Sequence, residues 1–238
     1  MSTIPIKRRL TQAIILAGGD GIRIKNLFPN IPKPLIPFND TPFIELLFDK
    51  IIKSGINKIY LAIIKKHIPF YEKYIEKGII LVPEDSKLGT GGAVKSIMEQ
   101  FKINTCFVVN GDSFCDVNFV KLSLQHKKLN SDLTICVSKN NTSRHDAGNV
   151  EVDEENNIIS FHEKKLISPM INSGVYIINK KIFESTNNNI FSLEKHISKI
   201  LESYKVSAYF TQSQIYDFGT PERFIFLEKI ITEIFRHR

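Results

Sequence analysis

"QAIILAGGDGIR" (Gln12–Arg23) decides the fold. Gln12–Ala17 is a short, continuously apolar run, the pattern of a strand buried on both faces. It breaks at once into glycines, followed by a loop rich in Gly, Pro and Asn that runs from Gly18 to Asp40. A buried strand that feeds a glycine turn opens many α/β sheets that bind phosphate.

The alternation continues outward from that stretch. "PFIELLFDKIIKS" (Pro42–Ser54) repeats apolar residues at Phe43, Leu46, Leu47 and Ile51, a helical period, with Pro42 at its start and Gly55 beyond its end. "KIYLAII" (Lys58–Ile64) reads as a strand and "PFYEKYIEK" (69–77) as a helix stopping at Gly78. "IILV" (Ile79–Val82) is a third strand, "GGAVKSIMEQF" (91–101) a helix, and "CFVVN" (Cys106–Asn110) a fourth strand. Alternating strands and helices predict a mostly parallel sheet covered on both faces. The second half differs. "NVEVD" and "IISFHEK" flank the polar turn "EENN" as a hairpin would, and "INSGVYIIN" is another strand. "FSLEKHISKILESY" (191–204) and "PERFIFLEKIITEIF" (221–235) are amphipathic helices. No low-complexity linker and no repeat divides the chain. The expected fold is one α/β domain: a Rossmann-like, mixed, mostly parallel sheet flanked by helices, with a smaller β-rich lobe.

Bulk composition narrows the function. The 238 residues carry 32 Lys+Arg against 25 Asp+Glu, a net charge of +7. The charges are interspersed, with one short run, Lys7–Arg9. That pattern suits a solvated lysine-rich surface or attraction of polyanionic small molecules. No basic stripe interleaved with aromatics marks a nucleic-acid partner. No apolar run approaches the ~20 residues of a membrane span. The opening "MSTIPIKRRL" lacks an apolar signal core. Three cysteines, Cys106, Cys115 and Cys136, show no paired spacing, which points to buried thiols in a reducing, cytoplasmic compartment.

Ligands of open α/β sheets bind beyond the carboxyl ends of the strands. Four motifs fall there: "LAGGDGIR", "EDSKLGTGGA", "NGD" and "YDFGTPE". In the first, bare glycines let backbone N–H groups approach an anion, and Arg23 adds charged, forked donors. The loop fits neither the dinucleotide fingerprint nor the P-loop pattern, and alone it does not differ from a plain tight turn. Lys33 stands between Pro32 and Pro34, which restrict the backbone and predict an extended, rigid mount. Asp112 follows a buried strand, where a carboxylate commonly meets nucleotide-bound Mg²⁺ or simply closes a turn. Asp217 offers a second oxygen ligand. No histidine pairs with a cysteine at zinc spacing.

The ordered set G-G-x-G-x-R, K-P-L, G-T-G-G, N-G-D, E-K, N-S-G and D-x-G-T-P-E, from Gln12 to about Phe226, resembles the sugar-1-phosphate nucleotidylyltransferases. Among them it is most similar to the D-glycero-D-manno-heptose 1-phosphate guanylyltransferases, with the mannose-1-phosphate enzymes nearby. The resemblance implies one nucleotidyltransferase domain over 1–238, a nucleotide-binding half over about 11–115 and a sugar-phosphate half over about 116–238. It implies that Leu16, Ala17, Gly18, Gly19, Asp20, Gly21 and Arg23 bind the nucleotide, with Gly18, Gly19, Gly21 and Arg23 holding its triphosphate. Lys33 would touch the reacting phosphates. Glu84, Gly89, Thr90, Asn110 and Gly111 complete the nucleotide site. Gly148, Glu163, Lys164, Asn172 and Gly174 would face the sugar phosphate. Asp112 and Asp217 would hold Mg²⁺, and Arg23, Lys33 and Asp112 would carry catalysis. The implied partners are an NTP and a sugar 1-phosphate, and a homo-oligomer is compatible.

Two departures stand out. Lys165 follows the E-K pair where the family usually has proline, and Ile22 replaces the usual threonine of the first loop. Asp20 falls at the variable loop position, so only its backbone N–H need face phosphate. For the base, a carboxylate only accepts hydrogen bonds. Guanine offers two adjacent donors and uracil or thymine one, so Glu84 favours GTP, unless it is simply a solvated loop acid. The alternatives are a mannose-1-phosphate guanylyltransferase, a pyrimidine-specific transferase, and a silent nucleotide-sugar-binding regulatory subunit.

Overall fold

The structure, a computed structural model, describes residues 9–19, 21–139, 148–163 and 168–236. Its first half alternates as expected: β1 (Gln12–Leu16), β2 (Pro37–Phe38), β3 (Thr41–Pro42), α1 (Phe43–Lys53), β4 (Lys58–Ile64), α2 (Ile68–Tyr71), β5 (Ile79–Glu84), α3 (Gly89–Gln100) and β6 (Thr105–Asn110). There follow β7 (Ser113–Cys115), α4 (Phe119–Leu129), β8 (Leu133–Lys139), β9 (Gly148–Val152), β10 (Ile158–Glu163), β11 (Met170–Asn179), α5 (Leu193–Ile200), β12 (Val206–Thr211), β13 (Ile215–Asp217) and α6 (Pro221–Arg236).

Nine of these strands form one mixed sheet. Its spine runs β5-β4-β1-β6-β11-β8-β12, and the β9–β10 hairpin joins through β11. The strands β5, β4, β1 and β6 pair in parallel, and β11 runs antiparallel to β6 and β8. Alternate residues of β1 serve opposite faces. Ile14 joins the core under α3 and α5, while Ala13 and Ile15 join the core under α1 and α4. Each fully buried aliphatic side chain of this kind contributes about 1.5–3 kcal/mol. A third, phenylalanine-rich core around Phe38, Phe43, Phe218 and Phe224 seats α6 beside Lys33.

Three expectations are corrected. The segment 69–77 is not one helix: α2 ends at Tyr71 and a 3₁₀ turn covers Glu72–Tyr74. Tyr71 and Tyr74, three apart, are both fully buried, and the tighter 3₁₀ turn sets such residues on one side. The helix expected over 191–204 shortens to Leu193–Ile200, started by the Ser192 side chain accepting from Lys195 N–H. Lys33 is not extended: Lys33–Leu35 is a 3₁₀ turn, entered from an extended Pro32, because a proline fits the first helical turn without losing a bond. The polar hairpin turn is as expected, with the Asp153 carboxylate accepting from Asn157 N–H at 2.7 Å. Among the described residues no helix is long and apolar enough to cross a membrane.

Candidate active site

The chain leaves β1 toward β4 and β5 on one side, then returns to β6 on the other. The crevice beyond the carboxyl ends of β1 and β6 is therefore the topological switch point. A cleft of about 360 Å³ opens there, within the usual range for small-molecule sites. Leu16, Ala17, Gly18 and Gly19 form one wall and Asn110 and Asp112 another. Glu84, Gly89 and Thr90 close the far end, and Lys33 lies at the near end. Gly111 stitches the two central strands: its N–H donates to Leu16 O at 2.9 Å, and a Cβ there would lie 2.7 Å from that oxygen. Ala62, Ala93, Pro34 and Lys87 also line the cleft and were not singled out from the sequence. The two alanines bear no functional group that sequence reasoning could seize on; their small size is what leaves room.

At the near end the glycines expose backbone. A Cβ on Gly19 would meet nothing within 4 Å, so this loop face is open. Gly21 has φ +58°, and its Cβ would lie 2.9 Å from Lys33 Cβ, so the loop rests directly on the lysine stem. Ile24 is buried and anchors the turn, whereas Ile22 is 74% exposed. Lys33 is buried along its length, with Nζ 2.7 Å from Asp112 Oδ2 and 5.0 Å from the Phe218 ring. Asp217 arrives by a different route, through antiparallel pairing of β13 with β7 that sets it opposite Ser113. Gly219 marks the point where three predicted residues meet. Its missing Cβ would stand 3.2 Å from Asp217 Oδ1, 3.3 Å from Arg23 Nη2 and 3.5 Å from Lys33 Nζ. Asp217 also accepts from Gly219 N–H at 2.9 Å and from Arg223 Nη1 at 3.1 and 3.3 Å, one contact to each oxygen. The sequence reading missed Arg223. Its one signal is its place in the first turn of α6, immediately after "GTPE".

At the far end, Glu84 is the last residue of β5. Its Oε2 accepts Leu88 N–H at 3.2 Å. Burial pushes its pKa above the usual carboxylate range, against the pull of that N–H. The next glycines pack against a distant segment of the chain. Gly91 and Gly92 N–H both donate to Phe191 O, at 3.0 and 3.2 Å. Cβ atoms on Gly89, Gly91 and Gly92 would fall within 2.5 Å of the 189–191 segment. Thr90 Oγ1 donates to Glu194 Oε2 at 2.9 Å and accepts Leu193 N–H at 2.8 Å. Lys95, buried on α3, donates to Thr186 O and Asn189 Oδ1, each at 3.1 Å. The chain from 186 to 194 is thus a strap laid over the start of α3.

Beside Asn110, the register of β11 against β8 shifts between Asn172 and Tyr176. Such a bulge re-aims a strand. Gly174, at φ +78°, makes it: a Cβ would lie 2.6 Å from Asn110 Nδ2. Asn172 Oδ1 accepts Gly174 N–H at 3.0 Å, and its Nδ2 donates to the Tyr176 hydroxyl at 2.6 Å. Gly148 opens β9 opposite Glu163 at the end of β10. Lys164 and Asp20 lie outside the described residues.

Among the described residues no group of three or more His, Cys, Asp or Glu could hold a metal. Asp112 on the cleft, with Asp217 brought near it by the pairing of β13 with β7, is a different arrangement. It suits a hard ion that keeps several waters and is held partly by substrate phosphates, as Mg²⁺ is.

The nucleotidyl transferase family matches residues 12–233, and the chain belongs to that family. Within it, the chain is 36% identical to the D-glycero-alpha-D-manno-heptose 1-phosphate guanylyltransferase of Campylobacter jejuni, covering 89% of this chain and 96% of that one. It is 28% identical to the mannose-1-phosphate guanylyltransferase of Mycobacterium tuberculosis, over 90% of this chain but 62% of that protein. The crystal structure of HddC from Yersinia pseudotuberculosis superposes with a TM-score of 0.80 at 28% identity, covering 93% of this chain and 100% of the other. A second structure of that protein, complexed with GMP-PN, gives a TM-score of 0.77.

Proposed function

We propose that this protein transfers GMP from GTP to D-glycero-α-D-manno-heptose 1-phosphate, forming the nucleoside diphosphate sugar and releasing pyrophosphate. The observation that carries the base assignment is Glu84, a half-buried carboxylate at the far end of the cleft. It can accept both the N1–H and the 2-amino group of guanine beside its bond from Leu88 N–H, and a mismatched base would leave part of its half-buried acceptor capacity unfilled. The sugar assignment is supported by the end-to-end match to the heptose enzyme, against partial coverage of the mannose one.

The chemistry brings two anions together. A sugar 1-phosphate oxygen attacks the α-phosphorus in line as pyrophosphate leaves, so charge repulsion is the main obstacle. Lys33 and Arg23, converging at Gly219, offset it, and the loop backbone, open at Gly19, receives the polyphosphate. The attacking phosphate is already ionised, so no residue need act as a general base. Asp112 and Asp217 would hold Mg²⁺, which when bound neutralises phosphate charge and orients the leaving group. Asp112 fits that role, because its carboxylate is 45% exposed and adjoins the Asp217 strand pair. Asn172, fixed at both ends of its amide, and Gly174 shape the sugar side. Three buried cysteines, none in a disulfide, suit a reducing cytoplasm.

The test is pyrophosphate release with GTP, ATP, UTP and CTP, each crossed with heptose, mannose and glucose 1-phosphates. GTP with heptose 1-phosphate should give the highest kcat/KM. Equal or better use of UTP would overturn the Glu84 argument. Release with no pair would leave a binding subunit.

A further inference from the structure

The two carboxylates assigned to Mg²⁺ are each already paired with a cation supplied by the chain. Lys33 Nζ sits 2.7 Å from Asp112 Oδ2, and Arg223 Nη1 sits 3.1 and 3.3 Å from the two oxygens of Asp217. Asp217 and the Lys33 ammonium that holds Asp112 both come to the place where a Gly219 Cβ would stand, together with Arg23. Asp217 is nearly enclosed, with 11% of its side chain exposed. A carboxylate so buried costs several kcal/mol if left unpaired, so it needs some cation at all times.

We propose that Arg223 and Lys33 are placeholder cations, which hold Asp217 and Asp112 in the empty enzyme and are exchanged for the metal when nucleotide arrives. The inference rests on the metal reading above. Its physical content is competition. A divalent ion entering alone must displace a guanidinium from Asp217 and an ammonium from Asp112. A nucleoside triphosphate brings new anions to the cleft that Lys33 lines. Lys33 can turn from Asp112 to the phosphates, and the metal takes the vacated carboxylate. Metal and nucleotide therefore bind with positive coupling, and by linkage each strengthens the other equally. Free Mg²⁺ does not fill the site prematurely, and in the empty enzyme no bare carboxylates face the incoming triphosphate. Arg223 acts through Asp217 and is a positioning residue.

The test uses Mn²⁺ as the probe, read by its EPR signal, on the whole chain. Wild type should bind Mn²⁺ weakly alone and much more tightly with a non-hydrolysable GTP analogue. Arg223→Gln should bind Mn²⁺ alone roughly tenfold more tightly, the usual scale of coupling between neighbouring sites. Its Tm should be lowered without metal and restored by Mn²⁺, whereas wild-type Tm should barely respond. Arg223→Lys, which keeps the cation, should behave as wild type. Lys33→Gln probes the same exchange at Asp112 should Arg223→Gln fail to fold, and it too should tighten Mn²⁺ binding. Unchanged or weaker Mn²⁺ binding in both charge-removing variants overturns the proposal. Asp112→Asn separates the two readings. If it abolishes analogue-dependent Mn²⁺ binding, the metal assignment stands whatever Arg223 shows. If it leaves that binding intact, the metal assignment falls and the placeholder reading with it.

Discussion

Thr90→Val decides whether the threonine of "GTGG" serves the nucleotide or the fold. The resemblance assigns Thr90 to nucleotide binding, and it does line the cleft. Its hydroxyl, however, donates to Glu194 Oε2 at 2.9 Å and accepts Leu193 N–H at 2.8 Å. Leu193 is fully buried and opens α5, where the first N–H groups have no partner inside the helix. Valine keeps the shape and removes both bonds. Glu194 retains Ser192 as a donor at 2.8 Å, so the main loss is the orphaned Leu193 N–H. Leaving a buried donor unsatisfied costs about 1–3 kcal/mol. For a chain of this size, that lowers Tm by roughly 2–12 °C.

The assay is thermal unfolding together with KM for GTP. Thr90→Val should lower Tm by that amount with KM for GTP changed less than about threefold, since the backbone facing the cleft stays in place. Glu194→Ala should be destabilising too, and the double variant should be less than additive. A lost bond to a charged phosphate would instead cost about 1.5–3 kcal/mol, at least about tenfold in KM. An unchanged Tm with KM raised tenfold would refute the structural assignment of Thr90.

Two pH predictions follow from burial. Glu84 has its pKa raised by burial, so guanine binding should weaken as pH falls through a range above that of an ordinary glutamate. Glu84→Gln should flatten that KM profile and shift preference toward UTP. The sign for stability is opposite: a carboxyl with a raised folded pKa favours the fold when protonated, so Glu84 costs the empty enzyme stability as pH rises through that range. His126, buried on α4 against Thr134, has its pKa pushed down to about 4 by burial. A depressed histidine pKa means the unfolded chain binds the proton first. Stability should therefore fall between pH 6.5 and 4, by at most about 1.4 kcal/mol per pH unit from this group. Denaturant unfolding across that window should show His126→Gln with a shallower slope, and an unaltered slope would remove the assignment.

Much of the scaffold was legible because its signals were redundant. β4 falls on Lys58–Ile64 as its apolar run dictates, and α1 falls within one residue at each end, between Pro42 and Gly55. The misses have physical causes. The buried stripe of α4 includes Ser123 and His126, while Leu124 is exposed, so its period is blurred. β7 and β13 are three residues each and exist by pairing with one another across about a hundred residues of chain. Asp112, Lys33, Arg23 and Asp217 were singled out from phosphate and metal chemistry, and the structure sets Lys33 beside Asp112 and brings Lys33, Arg23 and Asp217 together at Gly219. Arg223 was not, because an arginine in the first turn of a surface helix is unremarkable until its partner is known.

The two glycine-rich stretches show most clearly what sequence cannot encode by composition. "AGGDG" and "GTGG" both follow parallel strands and both fall where ligands of such sheets bind. A glycine records only that a Cβ is absent, and the meaning depends on what occupies the place it would have taken. At Gly19 that place is empty, so the backbone is available to a ligand. At Gly91 and Gly92 it is filled by Phe191 and Asn189, and their N–H groups are already spent on Phe191 O. The second stretch therefore binds protein: it lets the 186–194 strap reach α3, and the strap in turn fixes the end of the cleft where Glu84 stands. The placement of Glu84 thus depends on residues about a hundred positions away in sequence, a dependence that composition alone does not reveal.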